Sequence, residues 1–382
     1  MRRQRVVRSV KETRRLAGVF VPAFAILAIV VPTLSAQSSA EIIPGACTVP
    51  DSISDALHRL VRRVGDDAGI AAIHLESGVQ VSINGDRAFP MASVSKIPMA
   101  LEFLRRVDAG DIRLDETIVV RPTDFRPGNS PMASWSGGRA VRLRVDSLFK
   151  LMLVRSDNSA TDVVLRMAGG PEAVTGGVRE LGIDDVTVHR SEARTFADLV
   201  GLSDTIPESE LYRSKFFRLR DALPQAHRDS ARLQYGHDPR DTATPEGMAA
   251  LLTHIHHGAG LSRFSHDLLL DAMTASRSGP RRMRGRLPMG TEVAHKTGTM
   301  AGAINDVGII ELPTGEHLVL AVFVNTLRRS TGRREQTISA TARLLYDYFS
   351  ESEPAARSAE TSWPQTTRIA ASRCDADYGP AG

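Results

Sequence analysis

The hydrophobic pattern of this chain changes period twice, and that order limits the folds open to it. Ile70 to Leu75 and Val79 to Ile83 are two short apolar runs, separated by Glu76-Ser77-Gly78 and closed by Asn84-Gly85-Asp86. Turn residues in those places predict a strand hairpin. Much later, Glu292 to Lys296, Asp306 to Leu312 and Leu318 to Asn325 are again rich in β-branched and apolar residues, with Pro313-Thr314-Gly315 as a turn. Between the two sets helical spacing dominates, as in Leu101 to Val107, Val145 to Arg155, Ala160 to Met167 and Gly247 to His257. Strands, then helices, then strands predict a sheet completed by the far end of the chain, with a helical domain inserted. The α/β part is expected at about 50–88 and 275–350, and the helical part at about 89–274.

Two amphipathic helices flank the strands. Ile53, Leu57, Leu60, Val61 and Val64 recur at helical spacing, with Asp51 or Ser52 as the expected cap, and Ile338, Ala342, Leu345 and Phe349 share one side of a last helix. From about 197 to 236 the chain carries mixed charge, with a helix expected near Glu208 to Leu223 and no core role assigned. After Ser350, residues 351–382 are rich in Glu, Ser, Ala, Thr and Pro without periodicity, and a mobile tail is expected.

With 382 residues and 42% hydrophobic content, the chain can bury a sizeable core without staples. Its net charge of +4 invites a nucleic-acid or membrane-surface reading. The first fifteen residues account for it: Arg2, Arg3, Arg5, Arg8, Lys11, Arg14 and Arg15 stand against Glu12 alone. An apolar run from Leu16 to Leu34 follows, interrupted by Pro22 and Pro32 and ending in Ser35-Ala36-Gln37, the order of a secretory signal. Residues 1–36 are expected to be removed and 37–49 to form a linker, with an uncleaved anchor as the alternative. Removal takes away seven basic residues and one acidic residue and turns +4 into −2. Nucleic-acid binding then loses its support, and a periplasmic or secreted monomer without stable membrane insertion is expected. Cys47 and Cys374 lie outside any catalytic core and form a candidate disulfide in an oxidising compartment.

Ala92-Ser93-Val94-Ser95-Lys96 follows Phe89-Pro90-Met91 at a strand-to-helix transition. A Ser at a helix start, one turn before a Lys on the same face, has what a weak hydroxyl needs to become a nucleophile. The lysine can draw off its proton and the first backbone N–H groups can hold an oxyanion. Ser147-Leu148-Phe149-Lys150 repeats the spacing inside an ordinary amphipathic helix, so setting rather than spacing singles out Ser93. Lysine usage points the same way: only Lys11, Lys96, Lys150, Lys215 and Lys296 occur, against 43 arginines. Lys can lose its proton when desolvated and Arg practically cannot, so Lys96 and Lys296 are where plain positive charge is the weakest explanation. Lys296-Thr297-Gly298-Thr299 at a strand end offers a cation, two hydroxyls and a Gly permitting close approach of substrate backbone. Ser156-Asp157-Asn158, between two helices, offers a relay hydroxyl and an orienting amide, or simply a helix cap.

With these three elements in this order, the sequence resembles the serine β-lactamase and penicillin-binding protein superfamily, and class A β-lactamases in particular. Phe89 to Pro98, Arg155 to Ala160, Arg240 to Pro245 and Ala294 to Thr299 carry the resemblance, which spans roughly 50–350. It implies an α/β plus all-α fold, with an antiparallel sheet flanked by helices and an inserted helical domain. It further implies that Ser93 is acylated, that Lys96 acts as or assists its base, and that Ser156 passes a proton to the departing lactam nitrogen. Asn158 would orient Lys96 and the ligand amide, and the backbone N–H groups of Ser93 and Thr299 would form the oxyanion hole. Lys296 and Thr297, with Gly298 between the strand threonines, would face the substrate carboxylate, and Arg282 and Arg284 are further candidates. Neither a metal nor a cofactor is implied. His254, His256 and His257 are expected to face solvent at a helix end.

Deacylation separates a β-lactamase from a slow covalent binder. Glu192, 36 residues after Ser156, is the expected activator of water, with Arg190 expected to pair with Asp241 and close the loop. The usual Leu-Asn pair after this glutamate is replaced by Thr195-Phe196, and Phe196 cannot hydrogen-bond a water. About three dozen extra residues then precede Arg240-Asp241, a long insertion by ordinary loop standards. These departures keep two alternatives open: a D,D-peptidase-like hydrolase with slow deacylation, and a non-catalytic β-lactam or peptidoglycan sensor.

Overall fold

The computed structural model describes residues 49–351. The expected signal segment, nearly all of the linker, the tail after residue 351 and both cysteines lie outside the described residues.

Helix α1 (Asp51–Arg62) and strands β1 (Ala68–His74) and β2 (Gln80–Ile83) come first. A short β3 (Phe89–Pro90) leads through a 3-10 turn (Ala92–Ser95) into α2 (Lys96–Asp108). The hairpin β4 (Thr117–Val120) and β5 (Val141–Arg144) encloses α3 (Pro131–Trp135), and α4 (Val145–Val154), α5 (Asn158–Met167), α6 (Gly170–Arg179) and α7 (Glu192–Val200) follow. Next come α8 (Arg213–Asp221), α9 (Gln225–Tyr235), β6 (Thr242–Ala243), α10 (Pro245–His256) and α11 (Arg263–Thr274). The last elements are β7 (Val293–Met300), β8 (Ala303–Glu311), β9 (His317–Asn325) and α12 (Thr331–Glu351).

Five strands form one antiparallel sheet in the order β2-β1-β9-β8-β7. First and last strands meet at its centre, with Ile70 opposite Val322 and Ala72 opposite Leu320. Strand β9 shows why its sequence is an unbroken apolar run: it is covered on both faces. Leu318, Leu320, Val322 and Val324 join Leu57 of α1 and Ile338 and Leu345 of α12 in one hydrophobic cluster. Val319, Ala321 and Phe323, at the intervening positions, join the larger cluster built with α2, α4, α5 and α10. Each such Leu or Phe stabilises the fold by about 1.5–3 kcal/mol relative to exposure. The helical part is thus packed directly on one face of the sheet, and the two expected parts share a core.

Three local expectations need correction. Strand β7 does not end at Lys296 but runs on to Met300, so Lys296-Thr297-Gly298-Thr299 lies within the edge strand. Neither Asp51 nor Ser52 caps α1; Pro50 holds the cap position and Asp51 is the first helical residue. The inserted segment contains two helices, α8 and α9, rather than one over Glu208 to Leu223, and it has a core. Leu202, Leu211 and Phe216 form a third cluster with Ala193 and Ala197 of α7.

Candidate active site

Four segments converge at the junction between the sheet edge and the helical part. The first is the turn carrying Ser93. Asn305 of β8 donates from Nδ2 to the carbonyls of Pro90 (2.8 Å) and Met91 (3.0 Å), while Met91 N–H bonds to Asp241 O at 3.0 Å. These bonds fix the chain just before the 3-10 turn, and Ala92 is held at φ 49°, a conformation that costs a non-Gly residue of order 1–3 kcal/mol. Ser93 is half-exposed at the start of α2, and one turn later Lys96 is fully buried.

The second segment joins α4 to α5. Ser156 takes a left-handed φ of 52°, and Asp157 caps α5 by accepting from Ala160 N–H at 2.9 Å. Its other carboxylate oxygen accepts from Met132 N–H at 2.7 Å, tying α3 to the same turn. This geometry delivers three acceptors to Lys96. Its ammonium donates to Asn158 Oδ1 at 2.9 Å and to Ser156 Oγ at 3.1 Å, with Ser156 O also at 3.1 Å. Asn158 Nδ2 donates to Pro127 O at 3.0 Å, which fixes the amide orientation.

The third is the edge strand β7. Alternation places Lys296 and Gly298 toward the helical part, and Lys296 Nζ donates to Ser156 Oγ at 3.1 Å. Ser156 thereby links two buried lysines. Burial pushes the Lys296 ammonium well below its usual range, and the neighbouring Lys96 charge acts in the same direction. A Cβ on Gly298 would lie 2.4 Å from Met91 O and 3.2 Å from Ala92 Cβ. The chain's own serine turn therefore packs closely on the side of this glycine where a Cβ would stand. Thr299 is exposed beside that turn. Of the two candidate arginines, Arg282 donates to Thr299 Oγ1 at 2.6 Å and to Gly298 O at 3.0 Å. Arg284 instead donates to Thr274 O at 2.7 Å and Val293 O at 2.6 Å, a structural role.

The fourth is the loop opening α7. Glu192 Oε1 stands 3.2 Å from Lys96 Nζ, and both side chains are buried. Burial pushes the Glu192 carboxyl up, Lys96 opposes that shift, and Asp162 adds to it. Asp162, on α5, accepts from Glu192 N–H at 2.7 Å and from Ala193 N–H at 3.2 Å, so it holds the backbone of this glutamate. Arg190 donates to Asp241 Oδ2 at 2.5 Å, and Asp241 Oδ1 accepts from His189 N–H at 2.7 Å. Arg190 also reaches Asp198 at 2.7 Å and Asp238 at 2.9 Å. Phe196 and Asn158 both border Gly128, where an added Cβ would be 2.3 Å from the phenyl ring and 2.8 Å from Asn158 Nδ2.

Ser93, Lys96, Ser156, Asn158, Glu192, Lys296 and the Thr297 to Thr299 strand are thus assembled around one cleft. Asp162 and Asn305 were missed from sequence; the one available signal was that Asp162 follows Asn158 by four residues on the same face of α5. The histidines differ from expectation. His254 and His257 are exposed, but His256 is half-buried with its ring 4.4 Å from that of His317. Burial, with His317 nearby, lowers its pKa to about 4, so at neutral pH it adds no charge to the helix end.

A serine at the turn into α2, two buried lysines joined through Ser156 and a buried glutamate beside one of them, on an antiparallel sheet with an inserted helical part, make an arrangement able to support acyl transfer. The family model described as the β-lactamase enzyme family matches residues 52–349. Extended-spectrum β-lactamase PER-1 of Pseudomonas aeruginosa is 30% identical over 273 residues, covering 70% of this chain and 77% of that protein. β-Lactamase VEB-1 of the same organism is 26% identical over 307 residues, covering 78% and 91%. Among solved structures, a β-lactamase from Chitinophaga pinensis superposes with a TM-score of 0.65 at 28% identity, covering 78% of this chain and 99% of its own. A class A ancestral β-lactamase gives 0.63 at 30% identity, covering 78% and 100%. The chain belongs to the β-lactamase enzyme family, in class A.

Proposed function

We propose that this chain is a serine β-lactamase that opens the lactam amide through an acyl-enzyme on Ser93, with Glu192 activating the water that releases it. The observation that carries this reading is the position of the Lys96 ammonium, within 3.2 Å of Glu192 and 3.1 Å of Ser156 at once. Lys96 can hand one proton to Glu192 and, as the neutral amine, take the proton that leaves the Ser93 hydroxyl, while Ser156 delivers its own proton to the departing nitrogen and is reprotonated from Lys96; Glu192 then returns its proton to Lys96 and is again a carboxylate. The serine oxygen bonds to the lactam carbonyl carbon while the carbon–nitrogen bond breaks. Backbone N–H groups of Ser93 and Thr299 would hold the oxyanion, and Lys296, Thr297 and Arg282 supply positive charge and hydroxyls for the substrate carboxylate. Water then loses a proton to Glu192 and attacks the ester, which returns the serine and leaves the product acid.

The basic, then apolar, then small-residue order of residues 1–36 supports export to the periplasm or medium. A second reading, a penicillin-binding hydrolase that stays acylated, draws on Phe196, an apolar ring one turn along α7 from Glu192 where an amide partner for water would serve better. Turnover of a chromogenic cephalosporin, with a trapped adduct on Ser93 in Glu192→Ala, is the expected result. Single acylation of the wild type without turnover overturns the β-lactamase reading in favour of the second.

A further inference from the structure

We propose that the inserted helices α8 and α9 are a brace that positions Glu192 for deacylation, with Tyr235 as its positioning residue. This rests on the acyl-enzyme reading above. Glu192 is the first residue of a nine-residue helix, α7, which on its own would be marginal in water. Helix α9 runs antiparallel along it. At one end His227 Nε2 lies 2.8 Å from Gly201 O, the carbonyl just past the last turn of α7. At the other end the buried Tyr235 ring lies under the Arg190 guanidinium, 5.4 Å from ring centroid to Cζ, a cation–π contact two residues before Glu192. Asp238, three residues beyond Tyr235, accepts from the same guanidinium at 2.9 Å.

The ring also limits the space behind the carboxylate. Tyr235, Glu192, Thr195, Ser95 and Arg190 line a cavity of about 20 Å³. That volume admits a single water. Truncating Tyr235 enlarges it, removes the aromatic face from Arg190 and leaves the start of α7 free to shift.

Helix α8 grips the other flank. The Phe216 ring meets the Phe196 ring edge-on at 6.3 Å, one turn along α7 from Glu192. Arg213 N–H bonds to Phe125 O at 2.7 Å, and its Nη1 donates to Gly128 O at 3.3 Å, beside Asn158. Ser93 lies in the 3-10 turn before α2, Lys96 opens α2 and Ser156 lies on the α4–α5 turn, and the hydrogen-bond and ion-pair partners of Lys96 and Ser156 are not on α8 or α9. The insertion therefore bears first on the step that needs Glu192, and reaches acylation only through the Lys96–Glu192 pair.

The test follows acylation and deacylation separately, by rapid-quench intact-mass spectrometry with one penicillin, in wild type, Tyr235→Ala and Tyr235→Phe. Tyr235→Ala is expected to acylate like wild type but deacylate more slowly by up to about 10²-fold, the cost of a misplacement near 1 Å, so that adduct on Ser93 accumulates. Tyr235→Phe keeps the ring over Arg190 and should restore turnover. If Tyr235→Ala does not fold, Tyr235→Leu, which fills the space without an aromatic face, carries the same expectation. Wild-type deacylation in the truncated variant, or equal losses in both steps, overturns the brace. A wild-type protein that never acylates overturns the acyl-enzyme reading itself, and the brace with it.

Discussion

Lys96 and Glu192 form a buried ion pair at 3.2 Å, reached from elements nearly a hundred residues apart in the chain. Neither charge has water to fall back on, so each is compensated by the other.

One consequence is a displaced acid limb. Deacylation needs Glu192 ionised, so its rate falls as pH drops through the carboxyl's folded pKa. Burial raises that pKa, so the limb lies above 4.5, the ordinary value for glutamate. Single-turnover deacylation measured from pH 4 to 8 should show it, and Glu192→Gln should abolish both the limb and the turnover while leaving an adduct.

Arg190 is buried among Asp198, Asp238 and Asp241. Arg190→Ala leaves Asp241 without its cationic partner, while Arg240 still reaches Asp198 at 3.1 Å and Asp238 at 2.7 Å, and it is expected to destabilise the fold by about 3–5 kcal/mol, as for removal of one partner from a buried pair. Arg190→Lys restores charge but not the fork that engages several acceptors, and should recover only part of the loss. Urea unfolding midpoints check both.

Gly298→Ala places a methyl group 2.4 Å from Met91 O, so the serine turn or the edge strand must move. Acylation is expected to slow by about 10²-fold, the scale of a 1 Å misplacement. The second-order rate of adduct formation reads this directly; an unchanged rate would mean that the turn tolerates displacement.

Phe196→Asn exchanges an apolar ring one turn along α7 from Glu192 for an amide that can hold water, and at the same time removes the Phe216 edge contact that ties α8 to α7. One added hydrogen bond, about 1 kcal/mol, sets a ceiling of about fivefold on the gain in deacylation, reached when the lost ring contact does not shift Glu192. Acylation should be unaffected, and pre-steady-state hydrolysis of a penicillin separates the two.

Much of this was legible in the sequence because period and burial agree. Strand β9 reads as a strand since both faces are apolar, and Ser93 stood out from Ser147 through its place after Phe89-Pro90. Strand β7 was cut short at Lys296 because Thr297-Gly298-Thr299 has no apolar alternation; those residues serve the cleft rather than the core. Helices α8 and α9 were blurred for a different reason. Their cluster uses only a few apolar side chains, such as Leu211 and Phe216, among many charged ones. Asp162 was invisible because a buried carboxylate holding backbone N–H groups has the same letter as one facing water.

The pairing of β1 with β9 also sets when the protein can exist. The strand that starts at Ala68 finds its central neighbour only once His317 to Asn325 have been made, and Lys296 and Asn305 lie in the stretch just before them. A partly synthesised chain can therefore form helices but neither the sheet nor the serine pocket. Contacts so distant in sequence also make closure slow. Until its last strand emerges, the molecule has its helices but no central sheet to gather them around.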